Sequence, residues 1–493
     1  MDRFAHNLLV LSDVHLGSDL VHHVRPGAPQ PSRASERRRR ELVALLEHYA
    51  ASPRGGLPWR LVIAGDFVDF TGMSVLPECA LETELTEEER AHGLGGAEDH
   101  ALAKLRLVLD HERAIVRALA EFLARGHSLV VVRGNHDVEW YWKRLRDAFR
   151  AELDAYAPGA GDRVEFSDWF YYEPGAVYIE HGHQYDAYCS YEYLLCPLSP
   201  SDPRRTTRSI SDVLLRYVVR PTPGMTEAGH GTTGRLDYLK FAARLGSRGI
   251  VQLAQRFLRA NRALVRLWRE HSSAAVEHIR REHERALERL SREHRLPLAT
   301  LRHLDALRRP PITRHLLGVF ASVMVDRVLL GIVGTAALVA LTLLSSSRRM
   351  AWSSSGGALA VLLGADAAWS RLRSSAEPSP ELRERAAHVA KLLDVRYVVM
   401  GHTHLPEVTS PIPRATYVNL GAWAEDDMDD GPPPLPATRT HLVITRNAAR
   451  GEAELLQWTP EGPRPFFPEP EAEHAPARLF DALPVETPLS QRS

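Results

Sequence analysis

Seven side chains able to hold divalent metal ions stand just behind short apolar runs: Asp13 and His15 after residues 8–11, Asp66 after 61–64, Asn135 after 129–132, His181 after 177–179, and His402 and His404 after 397–400. All offer nitrogen or oxygen and none a thiolate, which suits Mn, Fe, Zn or Ni. Side chains two apart in an extended chain share a face, so Asp13 with His15, and His402 with His404, are expected to grip an ion as pairs. Two-metal phosphoryl enzymes need a carboxylate bridging ions about 3.5–4 Å apart, and Asp66 is the natural bridge. Two divalent ions would bring more positive charge than Asp13 and Asp66 remove. That surplus suits an anionic phosphoryl group and its charged transition state. Taken singly, Asp13 or Asp66 reads equally well as a turn or cap residue. The chemistry lies in the set.

The apolar runs are short and rich in β-branched residues, which predicts buried strands. Between them, residues 36–49 and 98–125 carry apolar positions at helical spacing, with Gly126 as a stop. Alternating strand and helix predicts an α/β domain with the motifs gathered at one sheet edge. The pattern breaks after His181. Residues 188–237 show no clear period, 251–294 are Arg-rich and helical, and 328–344 form a continuous apolar run of 17 residues. Strand patterning resumes at 396, with further strands expected at 417–420 and 441–444. The expected organisation is a catalytic core over 7–189 and 382–459, a helical insert over 190–381, and a Pro- and Glu-rich disordered tail over 460–493.

A net charge of −1 gives no electrostatic case for nucleic acid. Cys79, Cys189 and Cys196 have no CxxC spacing, so neither a disulfide framework nor a cysteine zinc site is expected, and a reducing compartment is. The first apolar run is too short for a signal peptide, which points to a cytoplasmic location. The run at 328–344 falls short of the about 20 residues a spanning helix needs. His402 and His404 must also join Asp13 and His15 on one side, so a lone span is excluded. A hairpin or interfacial helix at the inner membrane face, or a helix inside a soluble lid, is left. The Arg-rich stretch would favour anionic head groups.

The motifs D-x-H, GD-x-x-D, GNHD, HGH and GH-x-H, in this order, resemble those of the calcineurin-like metallophosphoesterase superfamily over roughly half the chain. The resemblance implies a two-sheet sandwich flanked by helices. It implies one metal on Asp13, His15, Asp66 and His404, and a second on Asp66, Asn135, His181 and His402. His136 would be the catalytic histidine and Asp69 would orient it, with Asp137 structural. His183 reads as outside the metal shell or facing substrate. Arg133 could hold phosphate or simply support the fold.

SDVHLG, GNHD and HGHQYD look most like the branch of UDP-2,3-diacylglucosamine pyrophosphohydrolases, implying a phosphorylated small-molecule or lipid-linked substrate. Some members of that branch have Arg where this chain has His136, so the exact substrate does not carry over. Protein serine/threonine phosphatases match less well: Phe70 stands where they carry Arg, and Asp137 where they carry Glu. A general phosphodiesterase or phosphomonoesterase, and a metal-binding scaffold without activity, are the alternatives.

Overall fold

The computed structural model describes residues 6–27, 31–222, 225, 235–271, 274–314, 364, 378–424, 437–446 and 451–467. The apolar run 328–344 and the tail beyond 467 lie outside them. Among the described residues twelve strands form two sheets. The first has seven: β1 (Asn7–Leu11), β2 (Trp59–Ala64), β3 (Ser128–Val132), β4 (Val164–Ser167), β10 (Thr440–Arg446), β11 (Gly451–Thr459) and β12 (Gly462–Pro465), ordered β12-β11-β10-β1-β2-β3-β4. The second has five: β5 (Phe170–Glu173), β6 (Val177–Glu180), β7 (Tyr397–Met400), β8 (Glu407–Ile412) and β9 (Ala415–Asn419), ordered β5-β6-β7-β9-β8. The first sheet thus continues past residue 459 through β12.

The apolar runs are continuous because both strand faces are covered. Leu8, Val10, Val62 and Val130 pack between the sheets against Val177, Ile179, Val399 and Val418. Leu9, Leu11, Leu61 and Ile63 point the other way, onto helices α1 (Arg33–Ala51), α3 (Glu98–His111), α4 (Arg113–Ala124) and α5 (Lys143–Tyr156). Between β2 and α3 lies the short helix α2 (Glu87–His92). The outer face of the second sheet is covered by α8 (Val276–His294), α9 (Leu298–Ala306) and α10 (Ser379–Leu393). The result is two sheets between two helical layers, as the family resemblance implied. Truncating Leu8, which is fully buried, to Ala would leave a cavity costing about 2–5 kcal/mol.

The segment expected to open the insert packs against the core. Helix α6 (Ile210–Leu214) starts with a capping box between Ser209 and Asp212. A π-helical turn, Leu215–Val219, follows it. Its apolar side packs on Ala260 and Leu264 of α7 (Arg235–His271), which kinks at Gly246. Three arginines fasten this segment to α2. Arg208 pairs with Glu88, Arg216 reaches the same carboxylate at 2.7 Å, and Arg205 pairs with Glu89 at 3.1 Å.

Candidate metal centre

Strand β1 ends at Leu11 and the chain then runs beside the turn after β2: Val14 N and His15 N both donate to Asp66 O. Here the extended-chain expectation needs correction. Asp13 and His15 lie in left-handed backbone, at φ 54° and 50°, as do His402 and His404, at 72° and 60°. The paired ligands therefore converge through strained turns and not through strand alternation. Among the described residues nine non-glycine residues have positive φ, and five of them are Asp13, His15, Asp66, His402 and His404. Such backbone costs about 1–3 kcal/mol per residue and persists where the surroundings over-determine it. Gly65 lets the turn close, because a Cβ there would overlap the His181 ring.

The structure brings all seven expected ligands together. His404 Nε2 lies 3.2 Å from Asp13 Oδ1, and His15 Nε2 lies 3.9 Å from the same oxygen and 3.7 Å from Asp66 Oδ2. On the other side of Asp66, His181 Nε2 is 3.1 Å from Asp66 Oδ2 and 3.0 Å from Asn135 Oδ1. The backbone N–H of His402 donates to Asp13 Oδ2 at 3.1 Å, and its ring centroid is 5.3 Å from that of His181. Asp66 thus sits between the two groups.

Proton placement tests whether the site suits a cation. His181 Nδ1 lies 2.9 Å from the Ala64 carbonyl, which only accepts, so Nδ1 carries the hydrogen. In a neutral ring Nε2 is then a lone pair facing two oxygens. Three acceptors converge on a point that demands positive charge. Burial disfavours the imidazolium of His181, yet Asp66 and Asp13 lift its pKa to about 9. Without metal a proton supplies that charge, and a divalent ion can replace it. Among the described residues the buried His15 Nε2 has no hydrogen-bond partner. Its separations from the carboxylates are long for hydrogen bonds but close to the spacing of two ligands each about 2.1 Å from one ion. Burial alone would raise the Asp13 carboxyl, but His404 and His15 hold it well below the usual range. The buried His and Asp groups fit divalent ions.

His136 stands beside this cluster, its ring centroid 4.5 Å from that of His15. Its Nδ1 donates to Asp69 Oδ1 at 2.7 Å. Asp137 is fully buried and accepts from Gly134 N at 2.6 Å and Phe67 N at 2.8 Å, so it ties two motif turns together. His183 is buried, neither ring nitrogen has a hydrogen-bond partner among the described residues, and its centroid is 5.4 Å from that of His181. Burial, then the charges of His181 and His402, hold it neutral. Arg133 does not join the cluster. Its guanidinium donates to Leu194 O at 2.6 Å and lies 3.5 Å from Asp168.

Sequence reasoning assigned no role to four residues around the centre. Asp186 Oδ2 lies 3.1 Å from His402 Nε2, an arrangement that leaves Nδ1 of that ring as the ligand atom. The hydroxyl of Tyr191 is 3.1 Å from Asn135 O and 3.0 Å from Asp212 Oδ2. Arg220 donates to Asp69 Oδ2 at 2.9 Å. Asp186 carried a signal, as the last residue of HGHQYD. Tyr191, Asp212 and Arg220 had none, being in a stretch without period.

No match was found among the curated proteins compared. The GH-x-H motif reaches the centre because β7 pairs with β6 in the second sheet. Upstream of it, residues 6–224, which carry the other four motifs, match the model of the calcineurin-like phosphoesterase family.

Proposed function

We propose that this protein hydrolyses a phosphoester or pyrophosphate bond with two divalent metal ions bound at the cluster around Asp66. The observation that carries this is the convergence of His181 Nε2, Asp66 Oδ2 and Asn135 Oδ1, with His15 Nε2 on the other side of the same carboxylate. One ion would be held by Asp13, His15, Asp66 and His404, the other by Asp66, Asn135, His181 and His402. Bound there, the ions would supply Lewis-acid polarisation of the phosphoryl group and acidify a water. The rest falls to the protein. Asp69 holds the Nδ1–H of His136, so Nε2 is the nitrogen that hands a proton to the leaving oxygen or steadies the transferring oxygens. His183, kept neutral beside His181, would be the residue that faces substrate.

The test is metal analysis of the purified protein together with a panel of a phosphomonoester, a phosphodiester and a nucleoside-diphosphate lipid, with added Mn. Two bound ions and turnover of one class are expected. A protein that binds no divalent ion and turns over none of the three would sink the reading.

A lipid-linked substrate of the kind used by UDP-2,3-diacylglucosamine pyrophosphohydrolases is favoured by α7. Ile250, Val251 and Leu258 are 46%, 56% and 58% exposed there, at spacings that share one helix face. Exposed Arg259, Arg262 and Arg266 flank that face. Apolar side chains bordered by arginines suit an anionic bilayer surface, here the inner face of the cell membrane. Among the described residues no helix is long and apolar enough to cross a membrane. Sedimentation with phosphatidylglycerol vesicles should carry the protein down, and Leu258→Asp should weaken this. Equal recovery in the supernatant with and without vesicles would remove the membrane from the proposal.

A further inference from the structure

Asp69 is fully buried, and both of its oxygens are engaged. Oδ1 accepts from His136 Nδ1 at 2.7 Å and from Gly72 N at 2.7 Å. Oδ2 accepts from Arg220, at 2.9 Å and 151 residues downstream. The pair passes so close over Gly72 that a Cβ there would overlap both Asp69 Oδ2 and the Arg220 guanidinium. Arg220 is itself held. It follows the π-helical turn, its backbone N–H donates to Leu215 O at 2.9 Å, and its carbonyl accepts from Arg25 Nε at 2.6 Å. Arg25 also donates to Thr222 O at 2.9 Å, so the chain around Arg220 is pinned to the core loop after β1.

A carboxylate gripped on one oxygen alone can rotate about its last torsion. Gripped on both, it has one orientation, and the Nδ1–H of the histidine it holds has one direction. A rigid shell behind a reacting side chain is what keeps that side chain in productive geometry. We infer that Arg220, from the segment expected to open the insert, is a positioning residue for His136 and acts through Asp69. The inference rests on the proposed role of His136 and adds that the segment around Arg220 is part of the catalytic apparatus. Whatever moves the segment around Arg220 then alters the orientation of His136, which lies on the core.

A double-mutant cycle tests this on the full chain, using a p-nitrophenyl phosphate ester with added Mn. Arg220→Ala should lower kcat about ten- to hundredfold with little change in KM, the loss expected for one charge-assisted hydrogen bond. Arg220→Lys should recover part of it. In a His136→Ala background Arg220→Ala should have almost no further effect, because two residues that act as a unit are not additive. Metal content and thermal midpoint are measured for each variant, which separates misfolding from mispositioning. Unchanged kcat in Arg220→Ala, with the expected loss in His136→Ala, overturns the inference and leaves the role of His136 standing. An equal loss from Arg220→Ala in both backgrounds also overturns it, since Arg220 would then act without His136. Full activity in His136→Ala removes both.

Discussion

Asp66 Oδ1 accepts from the backbone N–H of His136 at 2.8 Å, and Oδ2 turns toward His181 and His15. Its loss should be felt by both ions. Asp66→Ala is expected to lower bound metal at both positions and to abolish turnover, measured by elemental analysis and hydrolysis of one substrate. Retention of both ions with normal kcat would contradict the bridge. His136→Ala should behave differently. General acid–base help is worth about 10²–10⁴-fold, so kcat should fall by that factor with metal content intact. Arg133 offers a contrast in kind. Its hydrogen bonds go to Leu194 O and Asp168, so Arg133→Ala should cost about 1–3 kcal/mol of stability through an orphaned buried carbonyl and leave KM unaltered. A raised KM at unchanged stability would restore Arg133 as a phosphate contact.

The elements meet through a clamp of buried charge. Glu88, on α2, faces Arg208 and Arg216 from the segment leading into and through α6. Burial would raise the Glu88 carboxyl, but Arg208 and Arg216 outweigh it and hold the pKa at about 2, below the ordinary 4.5. A group whose folded pKa is depressed contributes stability above its unfolded pKa and loses it as pH falls through the folded one. The contribution of Glu88 is therefore complete above pH 4.5 and fades toward pH 2. Glu88→Gln takes the carboxylate away from the buried Arg216 and the half-buried Arg208 and should destabilise by about 1–3 kcal/mol at neutral pH. In urea titrations the gap between wild type and variant should narrow as pH drops across that window. A gap that stays constant with pH would show that Glu88 is not the charge holding α6 to the core.

At the scale of the whole molecule, the centre joins the two sheets. Asp13, Asp66 and Asn135 follow strands of the first sheet, while His181, His402 and His404 follow strands of the second. Bound ions should thus act as cross-links that only the folded chain can form. An ion at a hundred times its Kd adds about 2.7 kcal/mol per site. Chelation should lower the thermal midpoint, and Mn should restore it in proportion to the logarithm of its free concentration. A midpoint indifferent to chelator would mean that the sheets are held without metal.

The sequence by itself determined the local facts. Unbroken apolar runs rich in β-branched residues had to be strands buried on both faces, and polar motifs behind them had to meet at a sheet edge, because side-chain periodicity and burial act over a few residues. Asp66, His181 and His404 could be named for that reason. The tertiary structure decided what depends on distant chain segments. The strand order puts β10 beside β1, and no local pattern encodes that. The left-handed turns at Asp13, His15, His402 and His404 are unfavourable locally and exist because neighbouring turns and side chains hold them. Arg133 was drawn away from the centre by Leu194 O and Asp168, whereas Arg220 was brought in by the packing of α6 and its π-helical turn. A guanidinium is long and forms its bonds wherever a carboxylate or carbonyl happens to be packed against it. Its partner is settled by the fold, and its spacing in the chain carries no trace of which one that will be.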